Sequence, residues 1–191
     1  MQRITVFCGS NHGDKPIFTC VAQEMGRLLA QHNIGLVYGG GNVGLMGKMA
    51  DAALEHGGEV IGVIPDFMVD KELAHNGATK MIITQSMHER KATMMKLSNG
   101  ILALPGGIGT LEELIETYTW LQLRIIDFPI GLLNTEGYYD PLIDMLDRMA
   151  EQGFLKEIHR KRLIVSNHPQ ELLEKIMGTS YTFEESWYVT K

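Results

Sequence analysis

Short, unbroken apolar runs recur along this chain, each followed by a segment of helical length. Ile4-Thr5-Val6-Phe7-Cys8, Ile34-Gly35-Leu36-Val37-Tyr38, Val60-Ile61-Gly62-Val63-Ile64, Met81-Ile82-Ile83-Thr84, Ile101-Leu102-Ala103-Leu104, Pro129-Ile130-Gly131-Leu132-Leu133 and Leu163-Ile164-Val165 read as strands. A strand that alternates apolar and polar residues has one wet face, whereas one that is apolar throughout is covered on both. The second pattern, interleaved with helices, predicts a doubly wound α/β fold: a parallel sheet of six or seven strands as the middle of three layers. Helices are expected from Pro16, where Phe18, Val21, Ala22, Met25, Leu28 and Leu29 recur at helical spacing, and over 45–55, 87–97, 111–123, 141–152 and 169–177. Pro16 and Pro169 suit helix starts, and Gly57-Gly58 a helix end. Residues 66–80 are polar and irregular, a candidate mobile segment. Residues 1–191 read as one domain without linker, repeat or low-complexity tract. The tail, 179–191, carries Tyr181, Phe183, Trp187 and Tyr188 and is expected to pack on the surface or on a partner chain.

A chain of 191 residues can bury about two-thirds of its unfolded surface, enough for a core without disulfide or metal. The net charge of −6 argues against nucleic-acid binding, which needs a basic face. No window approaches the ~18 apolar residues of a membrane helix. The apolar run after Met1-Gln2-Arg3 is too short for a signal peptide, so the expectation is a cytoplasmic protein with no membrane partner. Cys8 and Cys20 are read as small buried hydrophobes with reduced thiols.

The 21 glycines exceed the roughly 13 of an average chain this long, and they have no period, so they mark special backbone positions. Three strands end in glycine loops: Cys8-Gly9-Ser10, Gly39-Gly40-Gly41-Asn42-Val43-Gly44 and Pro105-Gly106-Gly107-Ile108-Gly109-Thr110. In an open parallel sheet ligands bind at the carboxyl ends of the strands. Glycine amides beside a helix start there suit a phosphate. The second loop matches G-x-G-x-x-G, with Asp66 downstream, but it follows the second strand rather than the first. It also approaches a P-loop at Gly47-Lys48, yet Met49 stands where the magnesium-binding hydroxyl belongs, which disfavours NTP hydrolysis. The third loop runs into Thr110-Leu111-Glu112-Glu113. Thr110 and Glu113 fit a capping box, and the two glutamates equally fit acid–base or cation-stabilising work beside a bound sugar. Arg90 and Lys91 could reach a phosphate, although a charged run at a helix start is more often a solvated face. His88 reads as a surface histidine. Metalloprotease, zinc-ribbon and serine-hydrolase motifs do not occur, and no metal site is expected.

Pro105-Gly106-Gly107-Ile108-Gly109-Thr110-Leu111-Glu112-Glu113 resembles the P-G-G-x-G-T-x-E-E signature of the LONELY GUY family. Those proteins are cytokinin-activating nucleoside 5′-monophosphate phosphoribohydrolases, long labelled lysine decarboxylases. The likeness extends to Tyr38-Gly39-Gly40-Gly41, Gly44-Leu45-Met46-Gly47, Met87-His88-Glu89-Arg90-Lys91 and Gly137-Tyr138-Tyr139. The resemblance implies a Rossmann-like fold, a homodimer, no cofactor, and hydrolysis of an N6-prenylated adenosine 5′-monophosphate to free base and ribose 5-phosphate. It implies catalytic roles for Arg90 and Glu113. Substrate contacts carry over to Glu72, Arg90, Lys91, Gly107, Ile108, Gly109, Thr110, Leu111, Glu112, Glu113 and Thr119. Ile108 departs from the aromatic or other side chain common at that position in the family. A general purine nucleoside monophosphate nucleosidase and a non-catalytic nucleotide carrier are the alternatives.

Overall fold

Odd and even residues of the inner strands are buried in different cores, which is why those strands show no polar alternation; in the edge run 80–84, by contrast, Ile83 is left 56% exposed. The structure, a computed structural model, describes residues 2–69 and 74–181. Seven strands, β1 (Arg3–Phe7), β2 (Gly35–Tyr38), β3 (Val60–Pro65), β4 (Lys80–Thr84), β5 (Ile101–Ala103), β6 (Ile130–Leu133) and β7 (Leu163–Ser166), form one sheet in the order β4-β3-β2-β1-β5-β6-β7. Every neighbouring pair is parallel. Ile4, Val6, Leu36, Tyr38 and Leu102 face a core built with helices α1 (Pro16–Gln31), α2 (Gly44–Glu55) and α7 (Pro169–Met177). Phe7, Val37, Ile61, Ile101 and Ala103 face the opposite core, with α3 (Met87–Leu97), α4 (Ile108–Gln122) and α5 (Asp140–Glu151). The short α6 (Glu157–Arg160) follows α5. The result is the three-layer, Rossmann-like α/β arrangement the apolar runs require.

The chain builds outward from β1 to β4, then returns across the sheet to lay β5, β6 and β7 on the other side of β1. Crossovers of one hand put helices on opposite faces when the direction of winding reverses. The reversal leaves a crevice at the carboxyl ends of β1 and β5, and the loops after both strands are glycine-rich.

Several expectations shift. Cys8 is buried, but Cys20 is exposed, because it falls off the stripe that Val21, Ala22, Met25 and Leu29 define on α1. The 66–80 segment is less irregular than its composition suggests: it contains a 3₁₀ turn over Asp66–Met68, an antiparallel bridge from Ala74 to Gly41, and Lys80 as the first residue of β4. At the tail, the Tyr181 hydroxyl donates to the Arg162 carbonyl at 2.7 Å, with the Arg162 guanidinium 5.5 Å from its ring centre. The other aromatic tail residues, Phe183, Trp187 and Tyr188, lie outside the described residues.

Helices α1 and α2 meet through Gly26, where an added β-carbon would collide with the Met49 carbonyl oxygen of α2. Backbone cannot swing aside as a side chain can, so Gly26→Ala should cost roughly 1–3 kcal/mol, the scale of core overpacking. The expected outcome is a thermal midpoint lowered by roughly 2–10 °C in a calorimetric scan, with the secondary structure retained.

Candidate active site

Two charged residues of α3, Arg90 and Lys91, sit on its core-facing stripe. Its buried positions are Arg90, Lys91, Met94 and Met95, so each charge lies one turn before a core methionine. Arg90 and Lys91 are only 5% and 4% exposed, which overturns the solvated-face expectation. The helix start explains the placement. Ser86 caps α3, its Oγ accepting from the Glu89 amide at 3.2 Å, while the Glu89 carboxylate accepts from the Gln85 amide at 2.7 Å. That first turn lies over the carboxyl ends of β2 and β3, where loop and strand carbonyls can receive a guanidinium.

Arg90 uses three directions of its fork. Nε donates to the Val63 carbonyl at 3.1 Å and Nη2 to the Gly39 carbonyl at 3.4 Å, while Nη1 lies 3.6 Å from Glu113 Oε1. A β-carbon on Gly39 would collide with this guanidinium, so glycine is required there by close approach. The Gly40 carbonyl accepts from the His75 amide at 2.9 Å. The 39–44 loop therefore seats Arg90 and the chain near His75. Asp66 and Lys48, the residues that suggested a dinucleotide or a P-loop, are both exposed.

Glu113 is 8% exposed and stands in the second turn of α4. The capping-box expectation fails: α4 begins at Ile108 with Gly107 as its N-cap and no side-chain cap, so Thr110 and Glu113 both lie inside the helix. A glycine N-cap leaves the first amides of α4 unshielded by any side chain, as an anion site needs. Burial of Glu113 is instead accounted for by the cation opposite it. Its charge reaches the end of β1, where burial first and Glu113 second push the Cys8 thiol up. Lys91 Nζ lies 2.5 Å from Glu112 Oε1 and 2.7 Å from Glu116 Oε2. Burial acts to lower the Lys91 pKa, but hydrogen bonds with the two carboxylates outweigh it and hold the ammonium above its usual value.

A cavity of about 240 Å³ occupies the crevice, lined among others by Gly9, Ser10, Asn11, His12, Gly106 and Tyr138. A second, apolar cavity of about 480 Å³ adjoins it, lined in part by Gly107, Ile108, Leu111, Leu142 and Met145. The expected site residues thus divide. Arg90, Glu113, Lys91, Glu112 and the helix start Gly107, Ile108, Gly109, Thr110 and Leu111 converge on one end of the sheet. Thr119 does not join them: it is exposed, its hydroxyl turned back to the Ile115 carbonyl at 2.8 Å. Glu72 lies outside the described residues. His88 is exposed, as expected. Sequence reasoning missed Asn11, His12 and Tyr138 as cavity walls; Tyr138 had only the Gly-Tyr-Tyr motif to mark it. Among the described residues no group of three or more His, Cys, Asp or Glu side chains is placed to hold a metal, and no helix is long and apolar enough to cross a membrane.

Residues 46–176 match the family model described as possible lysine decarboxylase. The chain is 45% identical over 175 residues to cytokinin riboside 5′-monophosphate phosphoribohydrolase LOG1 of Arabidopsis thaliana, covering 92% of this chain and 82% of that protein. It is 47% identical over 183 residues to the probable cytokinin riboside 5′-monophosphate phosphoribohydrolase LOGL1 of Oryza sativa subsp. japonica, covering 96% and 82%. Among solved structures, the molybdenum cofactor binding protein of Rippkaea orientalis matches with a TM-score of 0.67 at 21% identity, over 92% of this chain and 95% of that one. The molybdenum cofactor carrier protein of Chlamydomonas reinhardtii matches with a TM-score of 0.65 at 19% identity, over 93% and 99%. At such identities the two structures share the fold alone.

The Lys91 cluster has its own pH signature. A lysine whose native pKa is raised adds stability that is complete below its unfolded value near 10.5 and is lost as pH climbs through the native one. Lys91→Met should lower stability by roughly 1–2 kcal/mol at neutral pH, the scale of charge-assisted bonds to partly exposed acceptors. Thermal midpoints measured from pH 7 to 11 should show a deficit that is constant up to about pH 10 and shrinks beyond it.

Proposed function

The chain belongs to the possible lysine decarboxylase family, the family of its phosphoribohydrolase relatives, and from that premise we propose that it hydrolyses cytokinin riboside 5′-monophosphates. The reaction breaks the bond between the ribose anomeric carbon and the base nitrogen. Water supplies the new bond to that carbon, a proton goes to the departing base, and the products are free base and ribose 5-phosphate. The observation that carries the reading is the buried Arg90–Glu113 pair, 3.6 Å apart, set beside glycine loops at the switch point of the sheet.

As the glycosidic bond stretches, positive charge builds on the ribose. Glu113 faces that charge as a fixed carboxylate and takes the proton of the attacking water. Its dry surroundings strengthen the attraction relative to water. Arg90 cannot turn away, because two backbone carbonyls hold it; it orients Glu113 and engages the substrate's anionic side. The 5′-phosphate rests on the first amides of α4, over Gly107 to Thr110, which explains a demand for nucleotide rather than nucleoside. The chemistry uses side chains and water, with no cofactor. Lysine chemistry is disfavoured on specific grounds: a Schiff-base lysine needs a neutral amine, whereas Lys91 is held protonated between two glutamates.

The active form is a homodimer. Ile115 on α4, with Leu123 and Ile125 just beyond it, exposes 37%, 44% and 62% of its surface respectively, and Thr119 shares this face with Ile115. A second copy covering the face would bring Thr119 out of solvent. Light scattering at micromolar concentration should give about 43 kDa, twice the 21.3 kDa chain. The unpaired thiols of Cys8 and Cys20 suit the cytoplasm.

A panel of nucleoside 5′-monophosphates assayed for free base should show release, strongest with N6-prenylated adenine, while lysine with added pyridoxal phosphate is left unchanged. Glu113→Gln should lower kcat by roughly 10²–10⁴-fold while ribose 5-phosphate still binds. Arg90→Ala should lose both turnover and nucleotide affinity. Glu113→Gln with near-normal base release would overturn the mechanism, and nucleotide binding without base release by the wild type would make the protein a carrier.

A further inference from the structure

The connection between β6 and α5 ends in Tyr138-Tyr139, and both hydroxyls reach across to the loop between β5 and α4. Tyr139, 5% exposed, donates to the Leu104 carbonyl at 2.7 Å. Tyr138 donates to the Gly106 carbonyl at 2.5 Å. The carbonyl between them, on Pro105, accepts from the Gly9 amide at 3.1 Å. Three consecutive carbonyls of the glycine loop are therefore held from outside it. A trans peptide is planar, so the carbonyl of one residue and the N–H of the next point in opposite directions. Holding the Pro105 carbonyl thereby aims the Gly106 amide, and holding the Gly106 carbonyl aims the amide of Gly107, the N-cap of α4.

The tyrosines are themselves fixed. Phe18 and Tyr138 pack edge to face with ring centres 5.7 Å apart, and Tyr138 and Tyr139 do so at 4.9 Å. Buried Asn134 accepts from the Tyr139 amide at 2.7 Å and donates to Asp140 Oδ1 at 2.7 Å. Tyr138 also stands, with Gly106 and Gly107, in the wall shared by the two cavities. Packing of the rings needs no hydroxyl. Two hydroxyls spent on carbonyls of one short loop point to a second task.

We propose that Tyr138 is a positioning residue that aims the Gly107 amide at the 5′-phosphate of the substrate, on a loop whose preceding carbonyls Tyr139 and the Gly9 amide hold in place. The inference rests on the hydrolase reading above, which puts the phosphate at this helix start. Removing the Tyr138 hydroxyl frees the Gly106–Gly107 peptide to rotate, so the anion loses an aligned donor while the Arg90–Glu113 pair is untouched.

The test is Tyr138→Phe, which keeps the ring and both edge-to-face contacts at a half-exposed position. Base release from a nucleoside monophosphate should show kcat/KM down about tenfold, carried by KM rather than by kcat. Titration calorimetry with ribose 5-phosphate should show about tenfold weaker binding than wild type, with the thermal midpoint within ~2 °C. Tyr139→Phe should lower the midpoint, because it leaves a buried carbonyl unpaired, and should move KM less than Tyr138→Phe, because the peptide it holds ends in Pro105, which has no N–H to offer an anion. Equal affinity of wild type and Tyr138→Phe for ribose 5-phosphate, or a midpoint shift without an affinity change, overturns the clamp and leaves the hydrolase reading standing. A wild type that releases base yet shows no measurable affinity for ribose 5-phosphate or inorganic phosphate overturns the phosphate assignment and the clamp with it. No base release from any nucleotide, with phosphate affinity that still depends on Tyr138, overturns the hydrolase reading alone.

Discussion

A guanidinium buried at the carboxyl ends of two parallel strands is the interaction around which the site is organised. Arg90 joins four elements at once: it projects from α3, bonds carbonyls at the end of β3 and just after β2, and faces a carboxylate on α4. Taking a charge out of water is costly unless hydrogen bonds and an opposite charge replace the lost hydration. That need dictates much of the surroundings. Gly39 must lack a side chain so the guanidinium can approach, and Glu113 must be buried opposite it. A site held in this way loses little to reorganisation during a reaction, because its charge is already in place.

The three glycine loops at this edge look alike in sequence and do different work. The loop after β2 receives Arg90 and the His75 amide on its carbonyls. The loop after β1 supplies a wall of the crevice and the Gly9 amide that steadies Pro105. The loop after β5 has its carbonyls held by outside donors and its amides at the start of a helix. One composition thus yields a seat, a wall and a helix start with open amides, according to which backbone group each neighbour engages. The adjoining Lys91–Glu112–Glu116 cluster also ties α3 to α4, so the spacing between the two helices does not rest on the Arg90–Glu113 pair alone.

Most of the architecture was legible. Unbroken apolar runs alternating with helical stripes required a two-sided parallel sheet, and seven strands are there. Other local readings failed for identifiable reasons. Thr110 and Glu113 have capping-box spacing, but the helix begins earlier, at Ile108, with Gly107 as its N-cap; the side-chain cap that forms is Ser86 accepting from the Glu89 amide, with the Glu89 carboxylate on the Gln85 amide. Arg90 and Lys91 looked like a wet face because hydrophobic pattern gives no sign that a charge has a buried partner. Their spacing to Met94 and Met95 was the available clue. Cys20 looked like core only because cysteine usually is.

By itself, the sequence determined the periodicities, the glycine positions and the P-G-G-x-G-T signature, and these carry the fold class, the sheet edge where the glycine loops gather, and the family. Each depends on residues close together in the chain, or on composition alone. Only the tertiary structure decided that Arg90 meets Glu113, that Lys91 is bound to Glu112 and Glu116 rather than left for a substrate, and that two tyrosine hydroxyls reach the glycine loop. Those pairings join segments separated by about twenty to thirty-five residues and by whole strands of the sheet. Which partners meet there follows from the winding of the chain about β1. The choice is then enforced by the cost of leaving a buried charge or carbonyl unpaired, a cost that arises only once water has been excluded.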